Sequence, residues 1–277
     1  MKKLRLGEFE RNSLVVFAIT MIANVLSYLY QIVMGNVLTP ADYGTVNTLL
    51  SLSVVVGVPS GIISALTATY TAKYHAHGET FAIAAFMHGM LRVAAVLAAI
   101  VFVVGALLSR PIAHVLQIDD PHYVTVVMVL VASNCLGPVF SSTLQGVKRF
   151  IPYSMNSVLS FAFRLLLGVI FVWLGWGIPG ALAALILAAC LTMLYCLFKS
   201  RDLFFAPVKE KLALDRTEIR RYFVSTFWFQ LFLLLMANGD VLLIKTFAAD
   251  PAEVGIYSFL LYTTDAADEL PRLDTGG

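Results

Sequence analysis

Arginine is among the residue types that hydrocarbon tolerates least, yet Arg164 sits inside the apolar run Phe161-Ala162-Phe163-Arg164-Leu165-Leu166-Leu167. It lies about eleven residues into an apolar segment covering 153–175, near the segment's midpoint. An arginine at that depth costs ~2.5–3.5 kcal/mol on insertion scales, so something must offset it: a water-filled cavity, a carboxylate or a phosphate. The planar guanidinium suits bidentate phosphate contact. A buried pair or a carbonyl-bonded structural role is the competing reading. Asn156 and Ser160 precede Arg164 at four-residue spacing, which places all three on one helix face. Two more polar stripes have helical spacing: Asn24, Ser27 and Gln31, and Asn134, Pro138, Ser141 and Gln145. Helix–helix hydrogen bonding explains any one stripe; several in one bundle favour a wet cavity lined by some of them. Arg92 is a weaker candidate, near the end of its apolar segment, where it can snorkel. Asp240 is an intramembrane acid and a candidate coupling site for a cation or proton, or a cavity charge opposite Arg164. Snorkelling to the outer surface beside Lys245 stands equally for it.

Other groupings of reactive side chains carry less. His114 and Asp119 have the His-x4-Asp spacing of an acyltransferase pair, but in a short loop with no phosphate-binding partner. His75, His77 and Glu79 are metal-ligand types in a short turn with no fourth ligand nearby. Cys135, Cys190 and Cys196 all lie in apolar runs, where free thiols behave as small hydrophobes. No Walker A, Rossmann or nucleophile-elbow pattern occurs. These residues point to no catalytic constellation, metal site or cofactor, and ATP-driven transport by this chain alone is disfavoured.

The elements that would position Arg164 follow from composition. The chain is 59% hydrophobic and 13% charged, against about half and about a quarter in soluble domains. Its mean hydropathy is +0.84. A bilayer core of ~30 Å needs ~20 apolar helical residues. Seven segments qualify, roughly 13–36, 44–70, 84–108, 122–145, 153–175, 179–198 and 222–248. The runs are too long and continuous for barrel strands. The expectation is an all-α polytopic membrane protein. Gly57-Val58-Pro59-Ser60-Gly61 should interrupt the second span and Gly137-Pro138 the fourth, by cavity lining or by packing. The first segment lacks a cleavage pattern and reads as a retained span rather than a signal peptide.

Net charge is only +2, but its distribution is directional. With the N-terminus in the cytoplasm, Lys2, Lys3, Arg5, Arg11, Lys73, Lys148, Arg149, Lys199, Arg201, Lys209, Lys211, Arg216, Arg220 and Arg221 are inside, and the outer loops hold only Arg110. This alternation at every loop supports both the span count and a multi-pass location in the cell (plasma or inner) membrane. The expected organisation is a six-helix bundle over 1–198, a basic cytoplasmic linker over 199–221, the start of a second bundle over 222–262 and a polar tail over 263–277. The linker reads as a solvated loop, or as an amphipathic helix on anionic lipid.

Pro40-Ala41-Asp42-Tyr43-Gly44-Thr45-Val46-Asn47-Thr48-Leu49 recurs as Pro251-Ala252-Glu253-Val254-Gly255-Ile256-Tyr257-Ser258-Phe259-Leu260. Pro40, Asp42 and Gly44 match Pro251, Glu253 and Gly255, each set after a long span and on the outer side. The recurrence implies a repeated unit in the same orientation, with six spans per unit. After Leu260 an eighth span is expected, yet Asp265, Asp268, Glu269 and Arg272 follow. The expectation is a truncated chain, or a frame change near 260.

The stretch Asn36–Leu52, with Asn238–Ile244 and Glu253–Tyr257, resembles the polysaccharide transporter family. These are the O-antigen and teichoic-acid flippase-like proteins of the multidrug/oligosaccharidyl-lipid/polysaccharide exporter superfamily. The resemblance is one of loop-and-span rhythm and two short motifs, over about residues 10–262. It implies two six-helix bundles around a central cavity and alternating access. It also implies a lipid-linked saccharide as substrate, membrane lipids and other polysaccharide-assembly proteins as partners, and no nucleic acid. On that reading Arg164 meets the substrate's diphosphate, with Asn156, Ser160, Arg92, Asn24, Gln31 and Asn134 as further substrate-binding candidates. A cation-coupled multidrug antiporter of the same superfamily is the alternative, but it would need carboxylates in the first bundle. A fragment without function of its own also remains open. A membrane-embedded glycosyl or acyl transferase would need a larger catalytic loop than any present.

Overall fold

The structure is a computed structural model that describes residues 2–118, 120–207, 221–230 and 232–233, with side chains from Ser13 onward. The chain is an all-α polytopic membrane protein. Its helices are α1 (Lys2–Val37), α2 (Pro40–Val56), α3 (Val58–Ala76), α4 (Thr80–Leu107), α5 (Ser109–Val115), α6 (Pro121–Gly146), α7 (Phe150–Phe171), α8 (Gly177–Lys199) and α9 (Arg201–Phe204). A π-helical turn, Val172–Trp176, joins α7 to α8.

Among the described residues, four stretches are long and apolar enough to cross a membrane: Ser13–Val37, Thr80–Leu107, Pro121–Gly146 and Phe150–Lys199. The bent pair α2–α3 adds a fifth. The last stretch has 50 residues, which at 1.5 Å per residue is ~75 Å, too long for one crossing of a ~30 Å core. It is a hairpin. Asn156, early in α7, accepts a hydrogen bond from Cys196, late in α8, at 3.2 Å. The chain reverses where Gly175 adopts φ +84° and Gly177 φ +51°, values that favour glycine. The described residues therefore hold six crossings, matching the first six segments expected. Most of the seventh, 222–248, lies outside the described residues.

The expected interruption of the second span is present as a 49° bend between α2 and α3. Gly57 makes it: a Cβ there would stand 2.7 Å from the Ser53 carbonyl oxygen. Pro59 then falls in the first turn of α3, where a missing N–H costs nothing. At Pro138 the outcome differs, because α6 runs on through the proline. The proline removes the helical donor for the Asn134 carbonyl without ending the helix.

α6 is the hub: α3, α4 and α8 pack along it, and α2 and α5 touch it. α1 packs mainly on α7. Small residues let these helices approach. A Cβ on Gly146 would lie 2.8 Å from the Ala68 carbonyl oxygen and from Thr71 Cβ, and Ser64 and Ser142 hydroxyls bond across the same seam at 2.8 Å. Apolar clusters fill the bundle at successive levels, Leu49, Val127 and Leu182 in one, Ile62, Phe86 and Val139 in the next, Ile83, Leu144 and Cys196 in the third. The outward faces carry exposed Val96, Ile100, Leu166, Ile170 and Leu194, as lipid contact requires.

The stretch expected as a solvated linker begins instead with structure. α9 docks on α4 and α8, burying Leu203 and stacking Phe204 on His88 at 4.4 Å. Residues 208–220 lie outside the described residues, and 221–230 are helical. Tyr222 returns to the bundle, its hydroxyl 3.0 Å from Thr69. Contacts group Met1–Thr226 as one compact unit and Phe227–Gly277 as another.

The seam geometry sets an expected outcome. Gly146→Val should lower the thermal unfolding temperature of the purified protein sharply, because backbone rather than a flexible side chain blocks the new atoms. The cost should be about 1–3 kcal/mol, as for overpacking. Gly44→Ala, where nothing lies within 4 Å, should be neutral or stabilising by about 0.5–1 kcal/mol.

Candidate functional site

α7 carries the strongest candidate. Arg164 lies near the midpoint of Phe150–Trp176, the length of α7 with its π turn. Its guanidinium sits over the Phe161 ring one turn earlier, 5.4 Å from the centroid. Its Nε is buried with no hydrogen-bond partner among the described residues. On α1, Tyr30 lies against α7 at Gly168, one turn beyond Arg164. Tyr30 is 8% exposed, and its hydroxyl also lacks a partner among the described residues. The approach of α1 to α7 rests on Gly168, one turn beyond Arg164 on the same face. A Cβ there would stand 3.5 Å from the Tyr30 ring and 3.3 Å from Met34 Sδ, so the glycine lets α1 close onto α7.

The α7 stripe is half-buried along its length but faces two neighbours. Asn156 is turned to Cys196 on α8, whereas Arg164 faces α1. Successive i+4 steps drift by about 40° around a 3.6-residue helix, which accounts for the change. Ser160 lies between them and makes no side-chain hydrogen bond among the described residues. On α1, Asn24 and Gln31 are exposed and Ser27 half-buried, beside the face that carries Tyr30. On α6, Asn134, Pro138, Ser141 and Gln145 are all half-buried, along one open edge of a helix otherwise packed tight. Neither Asn24, Gln31 nor Asn134 has a side-chain partner among the described residues. Arg92 is exposed. Because α4 starts at Thr80 rather than near 84, Arg92 lies twelve residues in and close to the helix midpoint.

The motif Pro40-Ala41-Asp42 proves to be a helix start rather than a turn. Thr39 is the N-cap, and its hydroxyl accepts from the Asp42 backbone N–H at 3.2 Å and donates to the Asp42 carboxylate at 2.8 Å. Pro40 occupies the first position and Gly44 lies within α2. Threonine, proline and an acid at these offsets form a capping signature. Its counterpart Pro251, Glu253 and Gly255, and the coupling candidate Asp240, lie outside the described residues, as does Asp119. His75, His77, Glu79 and His114 are exposed, and among the described residues no three His, Cys, Asp or Glu side chains gather as metal ligands.

Two groupings escape sequence inspection. One is Tyr30 with Arg164, on helices far apart in the chain. The other is an ion pair between Arg149 and Asp202. Arg149 also donates to the Lys199 carbonyl at 2.9 Å, tying the start of α7 to the end of α8 and to α9. The Arg149 hydrogen bond holds the Asp202 carboxyl below its usual range, and Asp202 raises Arg149. Stability from this pair is present above the ordinary carboxylate value and is lost as pH falls through the lowered one. Both side chains are well exposed, at 40% and 51%, which limits the pair to at most about 1 kcal/mol.

The fold and this site can be set beside known proteins. The profile of the polysaccharide biosynthesis protein family matches residues 9–267. No curated protein matches. Among solved structures, an outward-facing multidrug resistance MATE family transporter of the MOP superfamily shares 17% identity at a TM-score of 0.67, covering 91% of this chain and 59% of that one. A MOP superfamily transporter from Pyrococcus furiosus, noted for the reverse polarity of its binding pocket, shares 15% at 0.66, over 91% and 59%. The Vibrio cholerae MATE transporter VcmN in its bent form shares 17% at 0.67, over 88% and 59%. At such identities the likeness is one of fold, and this chain spans about three fifths of the length of those proteins. By the profile match, the chain belongs to the polysaccharide biosynthesis protein family.

Proposed function

We propose that the chain is the first bundle of a membrane transporter that flips lipid-linked oligosaccharide or polysaccharide precursors by alternating access. One observation carries this reading: a guanidinium at mid-membrane whose Nε has no hydrogen-bond partner among the described residues. Such a cation needs water or an anion, and the diphosphate linking a saccharide to its lipid supplies one. Asn156, Ser160, Asn24, Gln31, Asn134 and Arg92 are proposed to contact the substrate's polar groups. The family match to polysaccharide biosynthesis supports a saccharide cargo, and the transporter fold supports movement rather than chemistry, so no enzymatic step is proposed. Asp240 is the proposed coupling-ion site. The location proposed is the cell membrane, in contact with its lipids and with other polysaccharide-assembly proteins.

The fold likeness to MATE proteins keeps a cation-coupled drug antiporter as the second reading. The charge of the described spans weighs against it. Asp42 lies in the first turn of α2, bonded to the Thr39 cap, and no described residue places a carboxylate at mid-span, where a cationic drug would need one.

Two measurements test the proposal. Arg164→Gln should reduce flipping of a lipid-linked oligosaccharide by tenfold or more in the intact protein, and Arg164→Lys should restore part of it, since lysine keeps the charge but loses the fork. Unchanged transport at normal expression would sink the assignment. For orientation, a membrane-impermeant maleimide should label Arg110→Cys in intact cells and Lys148→Cys only after permeabilisation. The reverse pattern would invert the topology.

A further inference from the structure

We infer that Tyr30 supplies the second donor of the anion site to which Arg164 contributes the first, so that phosphoryl oxygens are held between α1 and α7 by a tyrosine–arginine pair. The inference rests on reading Arg164 as an anion-binding residue, and it adds a residue, a place and a stereochemical reason.

The observations are independent of the apolar context that singled out Arg164. Burying a hydroxyl or a guanidinium N–H without a partner costs about 1–3 kcal/mol, more for charged groups. Such orphans are rare in a finished core. Here two of them among the described residues, Tyr30 Oη and Arg164 Nε, lie on the packed helices α1 and α7, with the Tyr30 ring against Gly168, one turn beyond Arg164. Gly168 is the residue that lets those helices meet. The surroundings are otherwise apolar, with Met34 and the Tyr30 ring together at Gly168 and the Phe161 ring beside the guanidinium. No described carboxylate competes for the arginine.

With Nε unpaired among the described residues, the side edge of the guanidinium keeps two parallel N–H donors, on Nε and one Nη, without a described acceptor. That edge takes two oxygens of one anion. A tyrosine hydroxyl from the opposite helix then takes a third. Three donors from two directions suit a tetrahedral phosphoryl group, whose oxygens point out of any one plane. They suit a planar carboxylate less well. Tyr30 thereby favours a phosphorylated lipid over an acidic sugar as the group bound at this point. The remaining polar stripes, Asn24 with Gln31 beside Tyr30 and Ser160 before Arg164, are left to the saccharide.

The substitution Tyr30→Phe tests this without disturbing packing. The full chain, purified in detergent, is titrated with farnesyl diphosphate, with farnesol as the uncharged control and inorganic pyrophosphate as the tail-free one. Tyr30→Phe should weaken farnesyl diphosphate binding about tenfold, the loss of one hydrogen bond to a charged group. It should weaken pyrophosphate by a similar factor, and leave the ligand-free unfolding temperature unchanged or raised, since an orphaned hydroxyl is removed. Farnesol should bind neither form measurably better. Equal affinity of wild type and Tyr30→Phe for farnesyl diphosphate overturns the inference. So does a fall in ligand-free stability with affinity unchanged, which would make the hydroxyl a structural partner of Arg164. If Arg164 proves essential for flipping while Tyr30→Phe binds normally, this inference alone fails. If both residues govern diphosphate binding while no lipid-linked saccharide is moved, the donor pair stands and the flippase reading fails.

Discussion

Hydrocarbon offers the backbone neither donors nor acceptors, so every residue that crosses the membrane must find its hydrogen bonds within its own helix. The places where this chain leaves helical geometry follow that rule. The bend at Gly57 closes with a Gly57 N–H to Ser53 carbonyl bond of 2.9 Å, and the proline two residues later falls where no donor is needed. The reversal between α7 and α8 is confined to a turn rich in glycine and tryptophan, with Trp173 86% exposed at the tip, as suits an interfacial aromatic. Thr39 and Asp120 cap the helices that follow them. Against this background of satisfied backbone, the side-chain donors at Tyr30 and Arg164 have no hydrogen-bond partner among the described residues.

The same absence of water removes most of the hydrophobic drive between helices, so close contact must come from small residues and cross-helix hydroxyls. α6 shows this at both levels. Gly146 meets α3 backbone to backbone, and Gly105 of α4 closes on Met128. Gly168 does the same for α1 on α7, where it lies against the Tyr30 ring one turn beyond Arg164. Thr67 and Thr71 of α3 are also buried without partners among the described residues, in the seam where Gly146 packs on Thr71. The site is thus a by-product of tight packing only in the sense that packing holds its two donors in place.

Much of this was legible in the residues. Apolar length and the alternation of loop charge gave six crossings, and the Gly-Pro cluster gave the bend. Pro40-Ala41-Asp42 was conspicuous as a motif, but its meaning was not. It reads as a family mark until the Thr39 cap shows that it starts a helix. The counterpart, Asp250-Pro251-Ala252-Glu253, repeats the proline and the acid at the same offsets and lies outside the described residues. Tyr30 gave no signal, because an aromatic in an apolar run is ordinary and its value depends on which helix lies opposite. Arg149 and Asp202 were equally silent as a pair, being 53 residues apart. Charge in a linker reads as solvated until the fold shows what docks.

The central claim is that the space around Arg164 is a polar, ligand-accessible site at mid-membrane and not a sealed core. Ser160, half-buried one turn before Arg164, is the reporter closest to it on the same face. With Cys135, Cys190 and Cys196 replaced by alanine, Ser160→Cys should react with a charged, water-borne thiol reagent. Farnesyl diphosphate should slow that reaction when Arg164 is present and have no effect in Arg164→Gln. A thiol that stays unreactive, or one that reacts equally fast with and without the diphosphate, would contradict the account.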